Sequence, residues 1–154
     1  MDAERRKVAE IMQTEVATLA PGEGLDLADD VMRLGRVRHM PVLDGGRLVG
    51  LVSSRDLLAA SLTKSLEFDP SARRAFMRSI EVSEVMSRTL VTVGPEATLR
   101  EAAVLLLENR IGCLPVVDEG ATLLGLITET DLLKAAFVEG DRASPRPTAG
   151  AGAG

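Results

Sequence analysis

Gly50-Leu51-Val52-Ser53-Ser54-Arg55-Asp56 returns, in kind, as Gly125-Leu126-Ile127-Thr128-Glu129-Thr130-Asp131. Each heptapeptide ends an apolar, β-type run and begins a helical pattern, so each reads as a strand-to-helix junction. The glycine lets a ligand or a neighbouring stretch of backbone approach closely. The hydroxyl residue falls at the N-cap, beside unpaired N–H groups and the positive end of the helix dipole, which is a natural place for an anion. The aspartate three residues on is acceptor-only when ionised. It can take two hydrogen bonds from a vicinal diol such as a ribose 2′,3′-hydroxyl pair. The same spacing also suits an ordinary capping box, in which the acid merely returns a bond to the N-cap amide. Two copies at matched positions, each after glycine and two apolar residues, weigh toward binding.

Outward from the heptapeptides the whole chain repeats. Residues 12–46 align with 86–120, and after one extra residue 47–58 align with 122–133, giving 16 identities in 47 pairs. Average composition would give about three. The identities mark structural punctuation: Pro21 with Pro95, Leu25 with Leu99, Pro41 with Pro115, Asp44 with Asp118. Each copy opens with a short β-type run, 16–19 or 90–93, stopped by a proline. A helix follows, with Leu25, Ala28 and Met32 on one face in the first copy and Leu99, Ala102, Ala103 and Leu106 in the second. Thr98 and Glu101 have the spacing of a capping box for the latter. Then come a hairpin, turning at Asp44-Gly45-Gly46 or around Asp118–Thr122, and a last helix from near Ser53 or Thr128. The unit is β-α-β-β-α.

A unit of about 50 residues buries too little surface to stand alone. The expected fold is therefore α+β, with two repeats packed sheet to sheet about a pseudo-twofold axis and two equivalent clefts between them. The expected domains are 1–60 (first repeat with an N-terminal lead-in helix), 61–80 (helical connector), 81–139 (second repeat) and 140–154. The last stretch, rich in Ala, Gly and Pro, is expected to be a disordered tail.

Composition removes several functions. Aromatic residues are 2% of the chain, so the core is aliphatic and no stacking platform for single-stranded nucleic acid is available. The net charge of -5 has the wrong sign for a phosphate-backbone binder, and nucleic acid is not an expected partner. One cysteine (Cys113) and one histidine (His39) leave no metal-ligand set and no disulfide. No apolar run approaches a membrane span, and the first residues lack a signal-peptide core, so a soluble, cytoplasmic protein without a membrane partner is expected. No nucleophile–base set can be assigned by spacing, and Asp56 and Asp131 lie in different copies, so the chain is not expected to be an enzyme.

The repeat, the hydrophobic-Pro steps Met40-Pro41-Val42 and Leu114-Pro115-Val116, and the two heptapeptides together resemble the CBS domain. The resemblance spans roughly residues 8–138. It implies a tandem pair, or Bateman module, that binds adenosine-containing ligands: AMP, ADP, ATP, S-adenosylmethionine, NAD(H) or cyclic dinucleotides. No cofactor is obligatory. Asp56 and Asp131 would hold ribose hydroxyls, with Ser53 and Thr128 beside the ribose or phosphate. The segments Val37–Met40 and Ile111–Leu114 would line the cleft. The stretches Met12–Thr14 and Ser83–Arg88 would meet the base. Arg38 and His39 would face phosphate where the second copy has Gly112 and Cys113. A homodimer or larger assembly is expected from apolar surface left on strand edges and helix faces. An unidentified protein target is the other expected partner. Cys113 is expected to be a buried apolar residue rather than a redox-sensitive thiol beside a cleft, Met32, Met40, Met77 and Met86 to be core or interface packing rather than a cofactor box, and the basic runs Arg5-Arg6-Lys7 and Arg73-Arg74 to be solvated faces. A dimerisation scaffold whose motifs are only helix caps is the competing reading, and a small nucleotide-acting enzyme a more distant one.

Overall fold

The computed structural model describes residues 3–62 and 69–139. The expected tail (140–154) and part of the expected connector (63–68) lie outside the described residues. After a 3-10 turn, Ala3–Arg5, the elements are α1 (Val8–Ile11), α2 (Leu25–Gly35), β1 (His39–Asp44), β2 (Arg47–Ser53), α3 (Ser54–Leu62) and α4 (Pro70–Arg78). They continue with α5 (Val82–Val85), α6 (Leu99–Asn109), β3 (Cys113–Val117), β4 (Leu123–Thr128) and α7 (Glu129–Phe137). The repeat runs from α1 and α5 through to α3 and α7, with α4 the connector between the copies.

Local chemistry sets the boundaries. Asp69 accepts a bond from the Ala72 amide at 2.7 Å and Pro70 occupies the first turn, which starts α4 within the expected connector. Thr98 accepts from the Glu101 amide at 3.1 Å and starts α6, as its spacing predicts. α2 and α6 both stop at a left-handed arginine, Arg36 (φ 54°) and Arg110 (φ 55°), at identical repeat positions. The first hairpin turns on Gly45 and Gly46, both at positive φ, a geometry that glycine adopts without steric cost. The extra residue of the second copy places Ala121 at φ 66° in its hairpin.

The two sheets are two-stranded, β1 with β2 and β3 with β4. The β-type runs 16–19 and 90–93 do not become full strands. Each contributes one parallel bridge, Leu19 with Val42 and Val93 with Val116. The neighbouring amides bind across it: Leu19 N–H to the Pro41 carbonyl (2.9 Å) and Leu43 N–H to that of Leu19 (2.8 Å) in the first copy. Pro21 and Pro95, which lack the amide donor needed to extend a ladder, limit the runs.

The chain forms two compact units that are not the sequence-contiguous blocks 1–60 and 81–139. Among the described residues, one unit comprises those up to Thr14, Val91–Asp118 and those from Leu124 to Glu139; the other comprises those between Glu15 and Leu90 and Glu119–Leu123. The reason lies in the lead-in segments. Val8 N–H binds the Ala97 carbonyl (2.8 Å) and Ala9 N–H that of Pro95 (3.0 Å). At repeat-equivalent positions, Val82 N–H binds Glu23 (2.7 Å) and Ser83 N–H binds Pro21 (2.9 Å). Each lead-in therefore serves the other copy. Val8 is buried with Leu99, Ala102, Leu106, Leu114, Val116 and Ile127; Val82 is buried with Leu25, Ala28, Met32, Met40, Val42 and Val52. At about 1.5–3 kcal/mol for each fully buried Val, Leu or Met, these aliphatic cores hold the units, with Phe76 packed at the edge of one. The four methionines 32, 40, 77 and 86 are all core. Arg73 is half-buried and Arg74 exposed, and neither is merely solvated: with Arg78 they pair with Asp29, Asp30 and Asp26, tying α4 to α2.

Candidate functional site

Both heptapeptides form the expected junctions, β2 into α3 and β4 into α7. In the first, the Ser53 amide and hydroxyl donate to Asp56 Oδ2 (2.7 and 2.9 Å), and the Asp56 amide donates to Ser53 Oγ (3.2 Å). In the second, the Thr128 amide and hydroxyl donate to Asp131 Oδ2 (2.9 and 3.0 Å), and the Asp131 amide donates to Thr128 Oγ1 (3.2 Å). Both motifs are thus capping boxes, and Oδ2 of each aspartate is committed to the fold. The first helical amides are also taken, by the Arg38 carbonyl (Ser54 N–H, 2.9 Å) and the Gly112 carbonyl (Glu129 N–H, 3.1 Å). Little of either helix N-terminus is left to bind an anion through its amides. What remains of the motif is Oδ1. Asp56 Oδ1 accepts no hydrogen bond among the described residues, and Asp56 is half-buried.

The motif glycines serve the neighbouring lead-in. A Cβ on Gly125 would collide with the Gln13 carbonyl oxygen and crowd Met12 Sδ at 3.2 Å; one on Gly50 would collide with the Met86 side chain, whose Cβ lies 3.1 Å away. Close approach of backbone, one of the two readings available from sequence, therefore explains Gly125, whereas Gly50 makes room for the Met86 side chain.

The two copies differ around this shared frame. The Gln13 amide nitrogen donates to both oxygens of Asp131, at 3.2 and 3.0 Å. The repeat-equivalent Ser87 instead donates its hydroxyl to the Thr89 carbonyl (3.4 Å). Glu129 stands where the first copy has Ser54, and Gly112 packs against its carboxylate, a Cβ there meeting Oε1 at 3.3 Å. Cys113 is buried, and burial, then the nearby Asp131 carboxylate, pushes its thiol up to about 12. In the first copy Arg36, Arg38 and Arg55 carry no ion-pair partner among the described residues. With Arg33 and Arg73 they rim a groove of about 650 Å³ over Met32 and Leu57.

The remaining sequence candidates distribute as follows. Arg38 and Val37 line that groove, and Ser53 and Asp56 do not. His39 is half-buried in β1, in register with Ser53. Ile111 packs against its unit's core. Ser83 sits in α5, its carbonyl accepting from Arg88 Nη2 at 3.2 Å. Arg36, Arg55 and Glu129 were not singled out by sequence, and Gln13 was expected only as part of the Met12–Thr14 stretch meeting a base. The repeat alignment, which pairs Gln13 with Ser87 and Glu129 with Ser54, carried the signal for two of them. Among the described residues no group of three or more His, Cys, Asp or Glu is placed to hold a metal ion, and no helix is long and apolar enough to cross a membrane.

Comparison with known proteins accounts for the repeat. The profile of the CBS domain matches residues 8–63 and 82–137. MJ1225 of Methanocaldococcus jannaschii is 33% identical over 134 residues, covering 85% of this chain and 47% of its own length, so the chain spans about half of that relative. The crystal structure of AcuB from Vibrio cholerae is 33% identical with a TM-score of 0.73, over 92% of this chain and 98% of that one. CBSX2, solved in complex with AMP, is 28% identical with a TM-score of 0.71, over 85% and 96%. The chain belongs to the CBS-domain family, as a tandem pair of its repeats.

Proposed function

We propose that this protein is a regulatory module that binds an adenosine-containing ligand and catalyses no reaction itself, acting on a protein target in trans or through self-association. The observation that carries the reading is Asp56: one oxygen caps its own helix while Oδ1 stays unspent in a half-buried position, ready for a ribose hydroxyl. The AMP complex of CBSX2 supports the adenosyl class. Ser53, Val37, His39 and Ser83 complete the proposed first-copy site, and Thr128, Asp131, Ile111 and Gly112 its counterpart. An extended ligand that sets its ribose on Asp56 would carry its phosphate past Ser54 toward Arg38, whose guanidinium has no carboxylate partner among the described residues. AMP, ADP and ATP fit this chemistry best, and an S-adenosylmethionine-type ligand suits the less cationic second copy. We place the protein in the cytoplasm and as a homodimer. Leu34 and Leu58 in one unit, and Leu107, Leu133 and Phe137 in the other, are each more than half exposed, and a second copy would cover them.

A scaffold reading has its own observation, since one carboxylate oxygen of each aspartate is employed as a helix cap. Two measurements separate the readings: native mass spectrometry of freshly purified protein, and a thermal-shift screen with AMP, ATP, S-adenosylmethionine and adenosine. A ligand at a hundred times its Kd adds about 2.7 kcal/mol of stability, or roughly 5–10 °C in Tm for a chain of this size. Co-purified nucleotide or such a shift supports ligand binding; no shift with any of the four contradicts it.

A further inference from the structure

Resting on the ribose-binding reading of the two aspartates, we propose that Gln13 is an internal competitor for ligand at Asp131, so that the second copy is held closed while the first is open. Gln13 cannot drift from its place. Its N–H binds the Leu126 carbonyl (2.8 Å), its carbonyl accepts from Leu126 N–H (2.9 Å), and Gly125 seats it closely. From there Nε2 reaches both Asp131 oxygens, at 3.2 and 3.0 Å, the acceptors a ribose diol needs. Oδ2 is already shared with the Thr128 amide and hydroxyl. A diol must therefore displace the Gln13 amide before it can bind.

The first copy shows the same frame without the competitor. Ser87 makes the same pair of backbone bonds, with Leu51 at 2.9 and 3.1 Å, but its short side chain turns to the Thr89 carbonyl. Asp56 Oδ1 stays free among the described residues. The consequence is ordered occupancy: a diol ligand fills the Asp56 site first, and the Asp131 site at higher concentration, once Gln13 is displaced. A charge-assisted hydrogen bond lost on displacement corresponds to a weakening of about tenfold.

The test isolates the second copy with Asp56→Asn, which keeps a cap acceptor, and titrates AMP and 2′,3′-dideoxy-AMP calorimetrically with Gln13, Gln13→Ser or Gln13→Ala. Serine is what the chain itself carries at position 87, so the backbone bridge is retained, and alanine gives an independent removal of the amide. The expected result is AMP binding about tenfold tighter in both substituted proteins, with no gain for the dideoxy analogue. Unchanged or weaker AMP binding, or an equal gain for both ligands, overturns the competitor role while leaving ribose binding standing. Failure of AMP to bind even the unsubstituted protein overturns the ribose reading, and the competitor role with it.

Discussion

Replacing Gly125 with alanine should cost far more stability than replacing Gly50, although the two glycines occupy the same position in the repeat. At Gly125 the added Cβ would fall on the carbonyl oxygen of Gln13, with Met12 Sδ and Cγ at 3.2 and 3.3 Å. That carbonyl is fixed by the Leu126 amide at 2.9 Å, and the return bond holds at 2.8 Å. Relief requires moving backbone and opening this bridge. Overpacking costs about 1–3 kcal/mol, and a lost backbone bond adds roughly 1 kcal/mol, so about 2–4 kcal/mol is expected. At Gly50 the obstacle is the Met86 side chain, with Cγ at 2.8 Å and Cβ at 3.1 Å. Methionine has three rotatable bonds and can swing much of its bulk aside, which holds the cost to about 1–2 kcal/mol. Urea unfolding of the two single variants, with the slope m checked for constancy, measures the difference. Equal costs, or a larger cost for Gly50→Ala, would refute the assignment of Gly125 to backbone approach.

Other expectations follow from particular groups. Arg38→Ala should reduce the preference for AMP over adenosine by about tenfold, as a partly screened Arg–phosphate contact implies; a calorimetric ratio equal to wild type would remove Arg38 from the site. Cys113, with its thiol pushed up to about 12, carries roughly a thousandfold less thiolate at pH 8 than at the ordinary value of 9.0, so iodoacetamide should alkylate the native protein far more slowly than the urea-unfolded chain. Equal rates would contradict its burial. The Arg74 guanidinium, hydrogen-bonded to Asp30, holds that carboxyl below its ordinary 3.8. A depressed carboxylate stabilises the fold above its unfolded value and loses that contribution as pH falls through the folded value. Asp30→Asn should therefore lower the unfolding midpoint at neutral pH and approach wild type as the pH falls through the acid range below 3.8, whereas a gap constant across pH would exclude the ion pair as its cause.

Much of this architecture was legible before any coordinates. The repeat, the capping residues Thr98 and Thr128, the glycine turn at 45–46 and the aliphatic core all follow from short-range chemistry, and each is found where its residues predict. The exchange of lead-ins was not legible. Val8 and Val82 are near-identical in context, and nothing local says which copy each will cover; that choice belongs to tertiary packing. The first strands shrank to single bridges for a similar reason, because β-type composition at 16–19 does not reveal how few neighbours the run will find before Pro21. At the site, sequence left the aspartates between capping and binding. The geometry shows that Oδ2 caps in both copies, and that Oδ1 differs between them because of one side chain, Gln13, arriving from 118 positions away.

The most direct test of the account is calorimetric titration of AMP into the wild type and into the Asp56→Asn, Asp131→Asn double variant. Asparagine keeps an acceptor for each helix cap but removes the charge, and a charge-assisted hydrogen bond is worth roughly 1.5–3 kcal/mol. The account predicts that AMP binds the wild type and that affinity falls at least about tenfold in the double variant, with 2′,3′-dideoxyadenosine little affected by the substitutions. AMP affinity unchanged by the double substitution would contradict it and leave both aspartates as helix caps alone.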